Sequence, residues 1–84
     1  MPELSRFYGL IIKMFFRSKE HEPPHIHVQY GEYVGSVNIQ NGELLEGDLP
    51  SRAYKLVKEW HNIHKVELLE MWNNQQLHKL PPLE

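Results

Sequence analysis

The chain has 84 residues, 40 % of them hydrophobic and 24 % charged, the usage of an ordinary globular domain and not of a disordered, collagenous or low-complexity chain. At this size folding hides only about 60 % of the surface that the unfolded chain exposes, so a thin core is expected. The absence of cysteine excludes disulfides, thiolate nucleophiles and Cys-type zinc or iron–sulfur sites, and a formal charge of −2 argues against a dedicated duplex-DNA binder.

The N-terminus lacks the pattern of a signal peptide and no apolar run approaches the roughly 20 residues that span a bilayer. A cytoplasmic protein without a membrane segment is therefore expected. In chain order, residues 9–17 alternate as a strand with Leu10, Ile12, Met14 and Phe16 on one face and Ile11, Lys13, Phe15 and Arg17 on the other. The segment 18–24 is a polar break, because Pro23 and Pro24 cannot donate to a ladder. A second strand over 25–30 turns at Gly31-Glu32 into a third over 33–40, with Ile26 facing Val37, Val28 facing Gly35, Tyr30 facing Tyr33 and His27 facing Ser36.

Asn41-Gly42 suits a type I′ turn, which returns the chain as a short strand over 43–46. Asp48 or Ser51 is placed to cap the helix that follows, with Pro50 in its first turn. Ala53, Leu56, Val57, Trp60 and Ile63 recur at helical spacing, whereas Val66, Leu68, Leu69 and Trp72 rotate around the wheel, which predicts a bend or break near 62–64. The fold expected is thus α+β: a small antiparallel sheet of three to four strands packed against a C-terminal helix that bends or breaks into two segments. Its core joins Leu10, Ile12, Ile26, Val28, Val37 and Ile39 to Leu56, Val57 and Trp60. The domain covers 1–76, and 77–84 is expected as an extended tail that can be mobile.

The chemistry concentrates in His21-Glu22-Pro23-Pro24-His25-Ile26-His27. Residues two apart in a strand share a side, so His25 and His27 present two imidazoles together, with His21 as a third metal-ligand candidate. The simpler reading makes them polar strand residues bonded to neighbours such as Asn38 and Ser36, and no native metal and no cofactor are expected. A nucleolytic reading uses His25 or His27 as general base and Arg17, Lys13 or Arg6 to neutralise phosphate charge. No Ser-His-Asp spacing, phosphate-cradling glycine loop or paired-carboxylate motif supports covalent or nucleotide-driven catalysis. On the same non-core face Ile11, Lys13, Phe15, Arg17, Gln29 and Val34 form a mixed apolar and basic patch, the composition of a partner-binding surface. Phe15 with Lys13 and Arg17 also permits single-stranded RNA to bind. Trp60 and Trp72 read as core anchors. A second pair, His61 and His64, shares a helix face only where the helix runs on through Asn62.

Ser5-Arg6-Phe7-Tyr8-Gly9, Ile12, Met14, the block Pro23-Pro24-His25-Ile26-His27 and Tyr30-Gly31-Glu32 together resemble a family of small bacterial proteins classed as domain of unknown function 4160. The likeness runs from about residue 4 to residue 73 and marks Arg6, Tyr8, His21, Pro23, Pro24, His25, His27, Tyr30 and Trp60. Ile26 stands where the family pattern leads one to expect an aromatic. Members of the family are often encoded beside another small protein in what look like toxin–antitoxin pairs. The resemblance therefore implies a protein-interaction module in such a two-component pair, with a protein partner encoded nearby. The alternative is a histidine-dependent ribonuclease or phosphodiesterase, and a further one an RNA-binding or regulatory module; a non-enzyme is favoured.

Overall fold

The computed structural model describes residues 3–15 and 23–83. Among these residues five strands precede one helix: β1 (Glu3–Phe7), β2 (Leu10–Lys13), β3 (His25–Tyr30), β4 (Tyr33–Asn38), β5 (Leu44–Gly47) and α1 (Ser51–Asn74). The strands form one antiparallel sheet in chain order, each beside its sequence neighbours. The α+β class holds, with five strands in place of three to four. The additional strand is β1. A register shift between Glu3 and Ser5 leaves both Leu4 and Ser5 buried, so the alternation that identifies a strand is broken there.

Hydrophobic alternation sets the sheet's inner face. Leu10, Ile12, Met14, Ile26, Val37 and Ile39 are fully buried, and Val28 nearly so. The β3–β4 register is the one expected from polarity, with Ile26 opposite Val37, His27 opposite Ser36 and Tyr30 opposite Tyr33. At the Gly31-Glu32 reversal only Gly31 has a positive φ, as in a type II′ turn. The Asn41-Gly42 reversal differs from expectation. Gly42 is left-handed but Asn41 is not, and Asn38 N–H donates to the Glu43 carbonyl across a loop of 39–42 in place of a two-residue turn. Asn38 Oδ1 accepts from Gln40 N–H and Asn41 Oδ1 from Glu43 N–H, so both side chains hold the longer loop.

At β5 the chain crosses Gly47, whose φ of 80° and closeness to the Val34 carbonyl leave no room for a side chain. Pro50 then occupies the N-cap position of α1 without a side-chain cap, so neither Asp48 nor Ser51 caps it. The helix runs unbroken from Ser51 to Asn74, with no interruption at 62–64. The reason lies in which residues face the sheet. Ala53, Val57, Trp60, His64, Leu68 and Met71 make one stripe of three- and four-residue steps, and His61 is buried beside it. Ile63 and Val66, counted in the apolar periodicity of the helix, are 64 % and 69 % exposed. Two histidines hold core positions and two aliphatics do not, so an apolar-only reading sees a false rotation. Leu56 is half-buried at the edge of the core.

Gln75, in the left-handed conformation, closes the helix by donating to the Met71 carbonyl. The chain beyond is extended and packs back on the sheet. Leu80 is buried and its N–H donates to the Leu4 carbonyl at 2.8 Å, while the Pro81 carbonyl accepts from Trp60 Nε1 at 2.9 Å. No helix is long and apolar enough to cross a membrane among the described residues.

Candidate functional site

The helix packs on one face of the sheet, so the side chains that alternate outward from β2, β3 and β4 form a second face, open in the sense that among the described residues the helix does not cover it. Register arranges it in rows, because residues opposite one another point to the same side. One row carries Arg6, Ile11, Gln29 and Val34, and the next carries Lys13, His27, Ser36 and Glu46. His25 lies opposite Asn38 in a third. A groove of about 340 Å³ crosses this face, walled by Lys13, Phe15, His27, Gln29, Val34, Ser36 and Glu46 over the backbone of Val28, Gly35 and Gly47. Among the described residues its composition is mixed: one ammonium, one carboxylate, an imidazole, two hydrogen-bonding side chains, an aromatic ring and an exposed valine.

Rings continue from the groove to the end of the helix. Phe15 meets His27 edge-on at 4.7 Å between centroids, His27 meets His25 at 5.0 Å, and His25 meets Trp72 at 5.2 Å. The prolines have a direct role here. Pro23 presents its carbonyl 3.0 Å from His25 Nδ1, and since a carbonyl only accepts, Nδ1 carries the proton and Nε2 is the basic nitrogen of the neutral ring.

Five of the six partner-surface residues expected from sequence, Ile11, Lys13, Phe15, Gln29 and Val34, therefore share one open face. Arg17 and His21 lie outside the described residues. His25 and His27 come together as expected from strand parity. Among the described residues, no group of three histidines or carboxylates is placed to hold a metal ion. Arg6 lies two strands from His27, about 10 Å across the sheet, and one row displaced. Its guanidinium donates to the Glu3 carboxylate at 2.8 Å, which raises the Arg6 pKa and holds the Glu3 carboxyl below its ordinary value. Among the described residues Lys13 is the cation directly opposite His27. Ser36 and Glu46 were missing from the expected surface. Ser36 was legible as the partner of His27, whereas Glu46 is aligned by an irregularity between Ser36 and Val37 that leaves Leu45 unpaired and 41 % exposed. Trp72, expected in the core, is half-buried and serves the ring row.

The other histidine pair has a different setting. His61 Nε2 donates to the Ile39 carbonyl from a buried position, His64 Nδ1 lies 2.9 Å from Glu67 Oε1, and the His64 ring packs 4.9 Å from Trp60. His61 ties the helix to the sheet layer, whereas the contacts of His64 are with residues of the helix itself.

The groove and both ends of the ring row fall inside a stretch, residues 9–73, that matches a family model described as domain of unknown function DUF4160. The chain belongs to that family. No curated protein and no solved structure matches it. Membership covers β2 through nearly all of α1 and leaves β1 and the C-terminal extension outside.

Proposed function

We propose that this DUF4160 domain is a protein-interaction module that docks a second small protein on the open sheet face, as one member of a two-component pair of toxin–antitoxin type. The observation that carries this reading is the grouping of Ile11, Phe15 and Val34 with Lys13, Gln29 and Glu46 on the face the helix does not cover. Val34 is 62 % exposed, and an apolar spot beside polar groups is the usual anatomy of an interface. The partner fitting this chemistry brings an apolar side chain to Phe15 and Val34, a carboxylate to Lys13 and a cation to Glu46. The resemblance to proteins encoded in pairs supplies the class of partner.

Co-expression with the adjacent small open reading frame tests it. Stable co-purification, lost in a Lys13→Glu/Val34→Asp variant that keeps its melting temperature, is the expected outcome. Failure to co-purify, together with no growth phenotype from either gene alone or from both, removes the proposal.

A second reading, histidine-dependent phosphodiester cleavage, draws on one observation: Lys13 lies directly opposite His27, so a cation adjoins a base in the groove. That reading requires RNA cleavage that disappears in His25→Ala/His27→Ala. Cleavage surviving in that variant would be contamination.

A further inference from the structure

A second concavity lies away from the open face, where the β1–β2 turn and the end of β3 meet the first two turns of α1. It is about 450 Å³ in volume and is walled by Tyr8, Tyr30, Arg52, Leu56, Glu59 and Leu83. That is within the range of small-ligand sites, about 300 to 1,000 Å³.

The turn that presents Tyr8 is built against local preference. Tyr8 and Gly9 have φ of 48° and 83°, a pair of left-handed residues joining adjacent strands. Asn-Gly fills such a turn readily, whereas a bulky aromatic rarely adopts its first position. A side chain at Gly9 would meet the Tyr30 ring at ordinary contact distance, so the positive φ and not space is what favours glycine there. The strained tyrosine is 58 % exposed, so the core does not require it. A conformational cost retained at an exposed residue beside a cleft points to a use for that ring.

The other walls indicate what the use is. Arg52, Leu56 and Glu59 lie on one helix face, with about 10 Å of helix axis between the cation and the carboxylate. Among the described residues Arg52 and Glu59 make no ion pair, and the Tyr8 and Tyr30 hydroxyls make no hydrogen bond. The Tyr8 ring lies edge-on to Phe7 and is largely exposed, while Tyr30 is half-buried against the core, and both border the cleft. A planar aromatic group against the tyrosines, an anion at Arg52 and hydrogen-bond donors at Glu59 are the complement of these walls. We propose that the cleft binds a nucleotide, its phosphate at Arg52, its base against Tyr8 and Tyr30, and its sugar hydroxyls or exocyclic amine donating to Glu59. Base stacking on tyrosine tolerates any base, so the site selects the nucleotide class and not one member. The ligand is either a free mononucleotide or the phosphorylated end of a strand.

The test is titration of the full chain with 5′-AMP, adenosine, inorganic phosphate, a 5′-phosphorylated trinucleotide and a Gly-Phe-Gly peptide, followed by NMR shifts. AMP is expected to move Tyr8, Tyr30, Arg52 and Glu59, and Arg52→Gln to weaken AMP about tenfold while leaving adenosine unchanged. Tighter binding of the trinucleotide than of AMP identifies a strand end, and the reverse a free nucleotide. Tyr8→Asn separates site from fold, because asparagine suits the turn: this variant should melt a few degrees higher and bind AMP about tenfold more weakly. Absence of shifts with either nucleotide, undiminished AMP affinity in Tyr8→Asn, or tighter binding of the peptide than of AMP overturns the proposal.

Discussion

Two histidine pairs, one on each side of the sheet, show how a single residue type takes two roles. His61 and His64 face inward from the helix, where one bonds the Ile39 carbonyl and the other pairs with Glu67 against Trp60. His25 and His27 face the open side in a row of rings between Phe15 and Trp72, beside a groove that also holds Lys13 and Glu46. The spacing, two residues in one pair and three in the other, does not say which pair faces inward. What separates them is which face of the two-layer fold each occupies, so the inner pair should act on stability and the outer pair on binding.

The largest effect should come from the inner side without touching a histidine. Trp60 is fully buried, packs on Phe7 and His64 and donates to the Pro81 carbonyl. Trp60→Ala is expected to cost about 3 to 5 kcal/mol, which in so small a domain approaches the whole stability. Calorimetry or urea unfolding gives the value, and a melting temperature within a few degrees of the parent would show that the inner layer is wrongly assigned.

His61→Leu comes next. It keeps the bulk but leaves the Ile39 carbonyl without its donor, an expected loss of about 1 to 3 kcal/mol in urea unfolding. A neutral result would make His61 an ordinary space-filling residue and weaken the contrast between the pairs. His25→Ala/His27→Ala should cost less, about 1 kcal/mol from lost ring contacts, while partner retention falls about tenfold or more. A large stability loss with unchanged retention would reverse the roles of the two sides.

Most of the inner face was legible in the sequence, and the reason is period. Leu10, Ile12, Met14, Ile26, Val28 and Val37 alternate cleanly, and a one-residue slip would expose all of them, so polarity alone fixed the β3–β4 register. What stayed hidden breaks its own period. Leu4 and Ser5 are both buried at a register shift, Tyr8 occupies a turn position where asparagine is usual, and the helix fills two core positions with histidine while exposing Ile63 and Val66. The same limit applied to the site. Strand parity placed His25 beside His27 and Lys13 beside Phe15, but Glu46 enters the groove only through the irregularity at β5.

The smallest expected effect lies at the sheet edge. The hydrogen bond from Arg6 lowers the Glu3 pKa below its ordinary value of 4.5. The folded state therefore binds this proton less readily than the unfolded one. The contribution is complete above the ordinary value and is lost as pH falls through the lowered one. Both side chains are at the surface, so Glu3→Gln should leave the melting temperature at pH 7 nearly unchanged and slightly flatten its decline below about pH 4.5. A marked loss at neutral pH would mean that this pair anchors β1.

On the proposed function the open sheet face, and not the helix, is the docking surface. Hydrogen exchange of the chain, alone and in complex with the co-expressed partner, tests it most directly, because the helix offers a competing apolar patch at Ile63 and Val66. The account predicts added protection over 11–15, 25–29 and 33–36 with little change on the outer face of α1. Protection concentrated on residues 62–67, with the sheet unchanged, would contradict it.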